Sequence, residues 1–167
     1  ARHHRVFLGT FIDDPEDEVH VATVRALCAD LQAIRLHPRR ARIASLNALL
    51  AGDPLTLRYY RSAGMSDWVD ETCRANHIDA AVIFSSAMAQ YVEGFLRLPT
   101  LIDFVDVDSA KWTQYAPRHR WPLSWLYRRE GRLLLNYERR MAARSTRSYF
   151  VTDNESALFC EQAPECR

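Results

Sequence analysis

Residues 80–109 read AAVIFSSAMAQYVEGFLRLPTLIDFVDVDS, and their order decides the fold class. Ala80 to Phe84 is a continuous apolar run, the pattern of a strand buried on both faces. Ser85 and Ser86 then supply hydroxyls at the start of a helix beginning Ser85-Ser86-Ala87-Met88. A second apolar run, Leu101 to Val107, closes on Asp106-Val107-Asp108-Ser109. Two apolar runs joined through a helix, with no hairpin signal between them, predict a parallel βαβ unit.

The same alternation extends outward in both directions. Val6 to Ile12 predicts a strand, and Asp13-Asp14-Pro15-Glu16-Asp17 predicts a helix start, with Asp14 as cap, Pro15 in the first turn and acids at the positive dipole end. Val24, Leu27, Cys28 and Leu31 continue that helix as one apolar face. A second short helix carrying Ile43, Leu46 and Leu50 is expected, stopped by Gly52-Asp53-Pro54. A third places Trp68, Val69, Thr72 and Cys73 together. Beyond Ser109 the pattern predicts an aromatic loop from Lys111 to Trp121, a long helix from about Pro122 to Arg144, a last strand at Tyr149-Phe150-Val151, and a short helix capped by Thr152-Asp153-Asn154. Strands alternating with helices throughout predict an α/β, Rossmann-like, doubly wound parallel sheet.

The 167 residues suffice for one domain, 1–167, with a real core. The 22 basic and 21 acidic side chains nearly cancel, so no global field favours nucleic acid, and no nucleic-acid partner is expected. Basic residues gather at Arg39, Arg40 and Arg42 and from Arg118 to Arg147, as a solvated face or a local binding patch. The four cysteines lack CxxC spacing and read as reduced thiols. The start, Ala1-Arg2-His3-His4, has no signal-peptide core, and no run reaches a membrane span, so a cytoplasmic protein is expected.

Ligands of open parallel sheets bind beyond the carboxyl ends of the strands. Three polar clusters fall there: Asp13-Asp14, Ser85-Ser86, and Asp106 with Asp108. If the strand persists, Asp106 and Asp108 share a face and can share a proton, hold a metal or hydrogen-bond sugar hydroxyls; otherwise Asp108 caps the next helix and Asp106 accepts backbone bonds. Ser85 and Ser86 suit a phosphate or a sugar, or plain capping. Glu130 sits in the stripe Tyr127, Leu134, Tyr137 and Met141, so it is either paired inside or directed into a cleft. Trp112, Tyr115, Trp121, Trp125 and Tyr127 suit stacking on sugar rings or lipid, or closure of a core. The six histidines show no metal-ligand spacing, no phosphate-binding glycine loop appears, and no GxSxG elbow exists. The DxD at Asp106-Val107-Asp108 also matches metal-dependent glycosyltransferases of another fold and the start of haloacid-dehalogenase phosphatases. For the phosphatases, no acidic pair follows Lys111 at a strand end.

Taken in order, FIDDPED, LHPRRARIASLNALLAGDPLTLRYYRSAGM, FSSAMAQY, DFVDVDSAKWTQYA, WLYRREGRLLLNYERRMA and FVTDNES resemble the sugar transferases associated with the PEP-CTERM/exosortase system. These are a branch of the family-4 retaining glycosyltransferases with the GT-B fold, and the resemblance runs from about Arg5 to Glu165. It implies two Rossmann-like domains, an acceptor held by the first, a nucleotide-sugar held mainly by the second, no cofactor and no metal. It implies a role in bacterial exopolysaccharide assembly on a saccharide or lipid-linked saccharide, with peripheral contact at the cytoplasmic face of the inner membrane. Family members open with a further strand before the segment matching Arg5 to Ile12, and continue past Glu165 into the donor domain. On this comparison the chain is a partial acceptor-side domain, inactive alone, with a gap at the centre of its sheet. The residues expected to act are Asp106 and Asp108 in catalysis, and Ser85, Ser86, Gln90, Lys111, Trp112 and Glu130 in substrate binding. The alternative is a non-catalytic Rossmann-like interaction module.

Overall fold

The computed structural model describes residues 3–166; Ala1 and Arg2 of the expected start lie outside them. In chain order the elements are β1 (Phe7–Ile12), a 3-10 helix (Pro15–His20), α1 (Val21–Arg25), β2 (Asp30–Arg35), α2 (Pro38–Ser45), α3 (Ala48–Ala51), α4 (Leu55–Tyr59), α5 (Ala63–Ala75) and β3 (Ala81–Phe84). A 3-10 helix (Ser86–Tyr91) follows, then β4 (Thr100–Val105), α6 (Asp108–Tyr115), a 3-10 turn (Ala116–Arg118), α7 (Leu123–Arg144), β5 (Arg147–Phe150), α8 (Asp153–Gln162) and a closing 3-10 turn (Pro164–Cys166). The fold is α/β and every strand pairing is parallel, but the strands form two small sheets, β1-β2 and β3-β4-β5.

Several expected elements change identity. Leu31, read as part of the first helix, lies in β2 and is buried there, registered against Leu8. The spacing of Val24, Leu27, Cys28 and Leu31 fits a helical face, yet hydrogen bonding to β1 from residue 30 onward overrides it. Ile43, Leu46 and Leu50 are exposed, and the buried positions of that region are Ser45 and Ala48. The expected aromatic loop is largely α6, and the closing helix carries its expected cap, with Glu155 N–H donating to Thr152 Oγ1 at 3.2 Å.

The main core lies under the three-stranded sheet. Ile83, Ile102, Phe104, Leu134, Tyr137 and Met141 are buried together, and Phe104, Phe150 and Phe159 stack within 5.5 Å of one another. At about 25 cal/mol per Å² of apolar area, such aromatics dominate the stability of a domain this size. The opposite face of this sheet is bare. Val82 is 79% and Phe84 69% exposed, so β3 is buried on one face only, not on both as its apolar run predicts.

Facing edges explain the difference. β1 is bonded only to β2, and β3 only to β4. Between the unpaired edges runs a slot of about 460 Å³, walled by Phe7 to Phe11 on one side and Ala80 to Ser85 on the other, with Val69, Thr72 and Cys73 of α5 among its lining. The edge groups of a parallel strand need partners, and here they face space instead. Gly9 of β1 has no room for a Cβ, which would sit 2.7 Å from Met65 Sδ and 3.0 Å from Trp68. That close approach seats α5 on the two-stranded sheet, and Trp68 Nε1 ties it to Asp30 at 2.8 Å.

Candidate functional site

Asp13 after β1 and Ser85 after β3 line one end of the slot, a crevice beside which β4 also ends, and the backbone turns sharply at the ends of β3 and β4. Asp106 N–H donates to Phe104 O at 2.8 Å, closing a three-residue turn around Val105, whose φ is 66°. A β-branched residue rarely adopts this left-handed region, so the turn stores strain of the order of 1–3 kcal/mol. Asp103 Oδ1 supports it by accepting from Val105 N–H at 3.0 Å. At the end of β3, Ser85 is likewise left-handed, with φ 59°, and its N–H donates to Asp103 O at 3.2 Å. Strained backbone thus lies at the ends of both strands, buttressed at β4 by a carboxylate.

The turn at Val105 decides where the two aspartates go. The strand ends before Asp106, and Asp108 opens α6, so they do not share a strand face. Lys111 brings them together instead, its Nζ donating to Asp106 Oδ2 at 2.6 Å and to Asp108 Oδ1 at 3.2 Å. The bond from Asp106, aided by Asp108, holds the lysine above its ordinary value against the effect of partial burial. Two carboxylates and one ammonium leave a net negative charge at a half-exposed position. Asp108 makes no side-chain cap on α6. That helix start is capped from elsewhere: Val107 N–H donates to Glu155 Oε2 at 2.8 Å and Ser109 N–H to Glu138 Oε1 at 3.3 Å.

Tyr60 joins the crevice from the far side. Its hydroxyl is raised above the ordinary phenol value by burial first, then by Tyr59, Asp13 and Asp108. Tyr91 fixes the local backbone, donating to Tyr60 O and accepting from Ser62 N–H at 2.9 Å. Nothing in the sequence singles out Tyr60, because no periodic signal marks it. Asp14 caps the 3-10 helix after β1 through Glu16 N–H at 2.9 Å, leaving Asp13 at the rim of the slot.

The remaining expected site residues divide. Ser86 is buried and its Oγ has no partner. Gln90 spends both amide hydrogens on Leu57 O at 3.1 Å and Ala87 O at 2.8 Å, so it braces the crevice wall. Trp112 packs on Tyr127 with ring centroids 5.2 Å apart, at the margin of the core. Glu130 requires a correction as a substrate-binding residue. It is 0% exposed and accepts from Leu55 N–H at 2.7 Å, Thr56 N–H at 2.9 Å and Thr56 Oγ1 at 2.8 Å, satisfying the donors at the start of α4. A carboxylate so enclosed has no face to offer a ligand.

One buried acid was missed. Glu138, also 0% exposed, accepts from Ser109 Oγ at 2.6 Å. Burial pushes its carboxyl up to about 8, with Ser109 acting the other way and Asp108 adding to the rise. The signal was present, since residue 138 follows Glu130 by two helical repeats of about four residues and falls on the same face.

Among the described residues no group of three or more histidine, cysteine, aspartate or glutamate side chains is placed to hold a metal, and no helix is long and apolar enough to cross a membrane. The four cysteines are free thiols. Comparison with protein-family models, with curated proteins and with solved structures finds no match.

Proposed function

We propose that this chain is the acceptor-side domain of a retaining glycosyltransferase that uses a nucleotide-sugar, with a Rossmann-like sheet forming one half of a GT-B enzyme. The observation that carries the reading is the cluster of Asp106, Asp108 and Lys111 at the carboxyl end of β4, next to the slot that Asp13, Tyr60 and Ser85 line. Hydroxyl-rich ligands are gripped by such sets, because carboxylates accept from sugar hydroxyls while a lysine offsets part of their charge. Asp106 and Asp108 would orient the acceptor hydroxyl and the charge developing at the anomeric centre, where preorganised polar groups contribute most. Ser85 and Ser86 follow the neighbouring strand, and Lys111 would meet a phosphate of the donor.

The sheet order supports the finer fold. Placing one strand in the slot gives β2, β1, the added strand, β3, β4 and β5, all parallel, with the strand order reversing at the added strand. Doubly wound sheets bind ligands at that reversal, and the crevice lies there. The proposed setting is exopolysaccharide synthesis, with a saccharide or lipid-linked acceptor and a second domain holding the donor.

Assays of the full-length gene product with several nucleotide-sugars and saccharide acceptors test the proposal. Sugar transfer, lost on Asp108→Asn with folding intact, is the expected result. Neither transfer nor donor hydrolysis with any nucleotide-sugar would remove it in favour of a non-catalytic module.

A further inference from the structure

From Ser109 to Thr152 the chain contains two acidic residues, Glu130 and Glu138, and both are fully buried. Every formal charge this stretch shows to solvent is therefore positive. Arg118, Arg120, Arg128 and Arg132 are all exposed, and none enters an ion pair among the described residues. Arg118 lies over the exposed ring of Tyr115, 5.8 Å from its centroid.

The start of α7 orders this charge around exposed aromatics. Ser124 N–H donates to Arg120 O and Leu126 N–H to Pro122 O, each at 3.1 Å, so helical bonding reaches back past the first residue of α7. Trp121, Trp125, Arg128 and Arg132 then recur at intervals of four, three and four, the spacing of one helix face. Glu130, Leu134, Tyr137 and Met141 occupy the buried face. Trp121 is 80% and Trp125 52% exposed, with Leu123 exposed beside them.

Trp121 is not held in a cleft and Trp125 is half-exposed, and two such indoles flanked by arginines match the chemistry of a bilayer interface. Indoles settle at the headgroup level, where the ring leaves water and the N–H keeps a polar partner. Guanidinium groups pair with lipid phosphates, and anionic lipid multiplies that attraction. Nucleic acid also attracts arginine, but it gives two protruding indoles and a leucine no apolar layer to enter. We infer that the N-terminal part of α7, with the turn before it, docks on the surface of an anionic phospholipid bilayer through Trp121, Leu123 and Trp125, secured by Arg118, Arg120, Arg128 and Arg132. The inference stands on these exposed residues and holds whether or not the chain transfers sugar.

Sedimentation with phosphatidylcholine vesicles, with and without phosphatidylglycerol, tests it. The chain is expected to bind the phosphatidylglycerol vesicles, to weaken with added salt, and to have tryptophan emission quenched by brominated acyl chains. Trp121→Ser with Trp125→Ser should abolish quenching and most binding, with the melting temperature kept. Arg128→Gln with Arg132→Gln should lower affinity roughly 25-fold, at about fivefold per arginine. Arg39→Gln with Arg40→Gln, an exposed pair on α2, should leave it unchanged. Absence of vesicle binding, equal binding by the tryptophan variant, an equal loss from the α2 pair, or binding of an oligonucleotide in place of vesicles would each overturn the inference.

Discussion

Two pairs of carboxylates, one eight residues apart in sequence and the other two, have opposite surroundings. Glu130 and Glu138, on the inner face of α7, are fully buried. Asp106 and Asp108, at the rim of the crevice, are half-exposed and share one lysine. Each glutamate completes the start of another helix: Glu130 takes the backbone donors of α4, and Glu138 takes those of α6. The aspartates complete nothing in the backbone. What separates the pairs is the identity of their donors. Fixed backbone N–H groups make a buried acid structural, whereas a mobile ammonium and solvent leave the rim acids free to exchange partners.

The largest expected effect follows from cutting the α4 cap. Glu130→Ala leaves Leu55 N–H, Thr56 N–H and Thr56 Oγ1 without their acceptor in a closed space, and should lower unfolding stability by about 3 kcal/mol or more. Urea unfolding would show it, and a loss under about 1 kcal/mol would place Glu130 with the rim acids.

Glu138 distinguishes burial from pairing by pH. Its folded-state value lies near 8 against an ordinary 4.5, so the protonated form is the one the fold prefers. The stability it contributes is complete below about pH 4.5 and is lost as pH rises through about 8, a change on the order of a few kcal/mol. Thermal midpoints measured from about pH 5 to about pH 9 should fall in the unmodified chain. Glu138→Gln, which copies the protonated carboxyl, should flatten the curve and match the unmodified chain at the acid end. Parallel curves would show that Glu138 does not titrate in this window.

Gly131 tests the closeness of α6 and α7 on which the second cap depends. A Cβ there would meet Thr113 Oγ1 at 2.4 Å and Ser109 O at 2.9 Å. Because the second contact is backbone, α6 must move, and Gly131→Ala should cost about 1–3 kcal/mol. It should also lengthen the Ser109 to Glu138 contact and reduce the pH dependence of stability. Full pH dependence in a destabilised variant would uncouple the two.

How much of this was legible depended on whether a local pattern or a distant partner decides each residue. The α7 stripe of Glu130, Leu134, Tyr137 and Met141 was readable because helical periodicity places its members on one face. That Glu130 would serve α4 was not, since its donors lie 74 and 75 residues away. β2 was hidden because Leu31 continues a helical spacing, and only pairing with β1 makes DLQAIR a strand. The strand ends of the crevice were legible as polar clusters, but the left-handed turn at Val105 was not. Valine is a poor residue for such a turn, and no composition signal announces it. The exposure of Val82 and Phe84 was equally hidden, because an apolar run records what could be buried and not what covers it.

The smallest expected stability effect belongs to Asp106. Its bond to Lys111 joins side chains that are 39% and 47% exposed, where water and salt screen the attraction and Lys111 keeps Asp108 as a second partner. Asp106→Asn should therefore change unfolding stability by less than about 1 kcal/mol. In the sugar-transfer assay of the full-length gene product the same change should reduce turnover by about 10²-fold, the scale set by removing one preorganised polar group from a reacting centre. The contrast between the two readouts is what separates this pair from the glutamates of α7, for which any loss of turnover should track loss of folded protein. Lys111→Met supplies the control, because it strips the ammonium from both aspartates at once. Turnover should fall again with little loss of stability, and Tyr60 should titrate higher, because Asp108, one of the carboxylates that raise it, would no longer be neutralised. If Asp106→Asn instead unfolds the chain as readily as Glu130→Ala, the strained turn at Val105 depends on that carboxylate, and the rim is a structural device like the caps of α4 and α6.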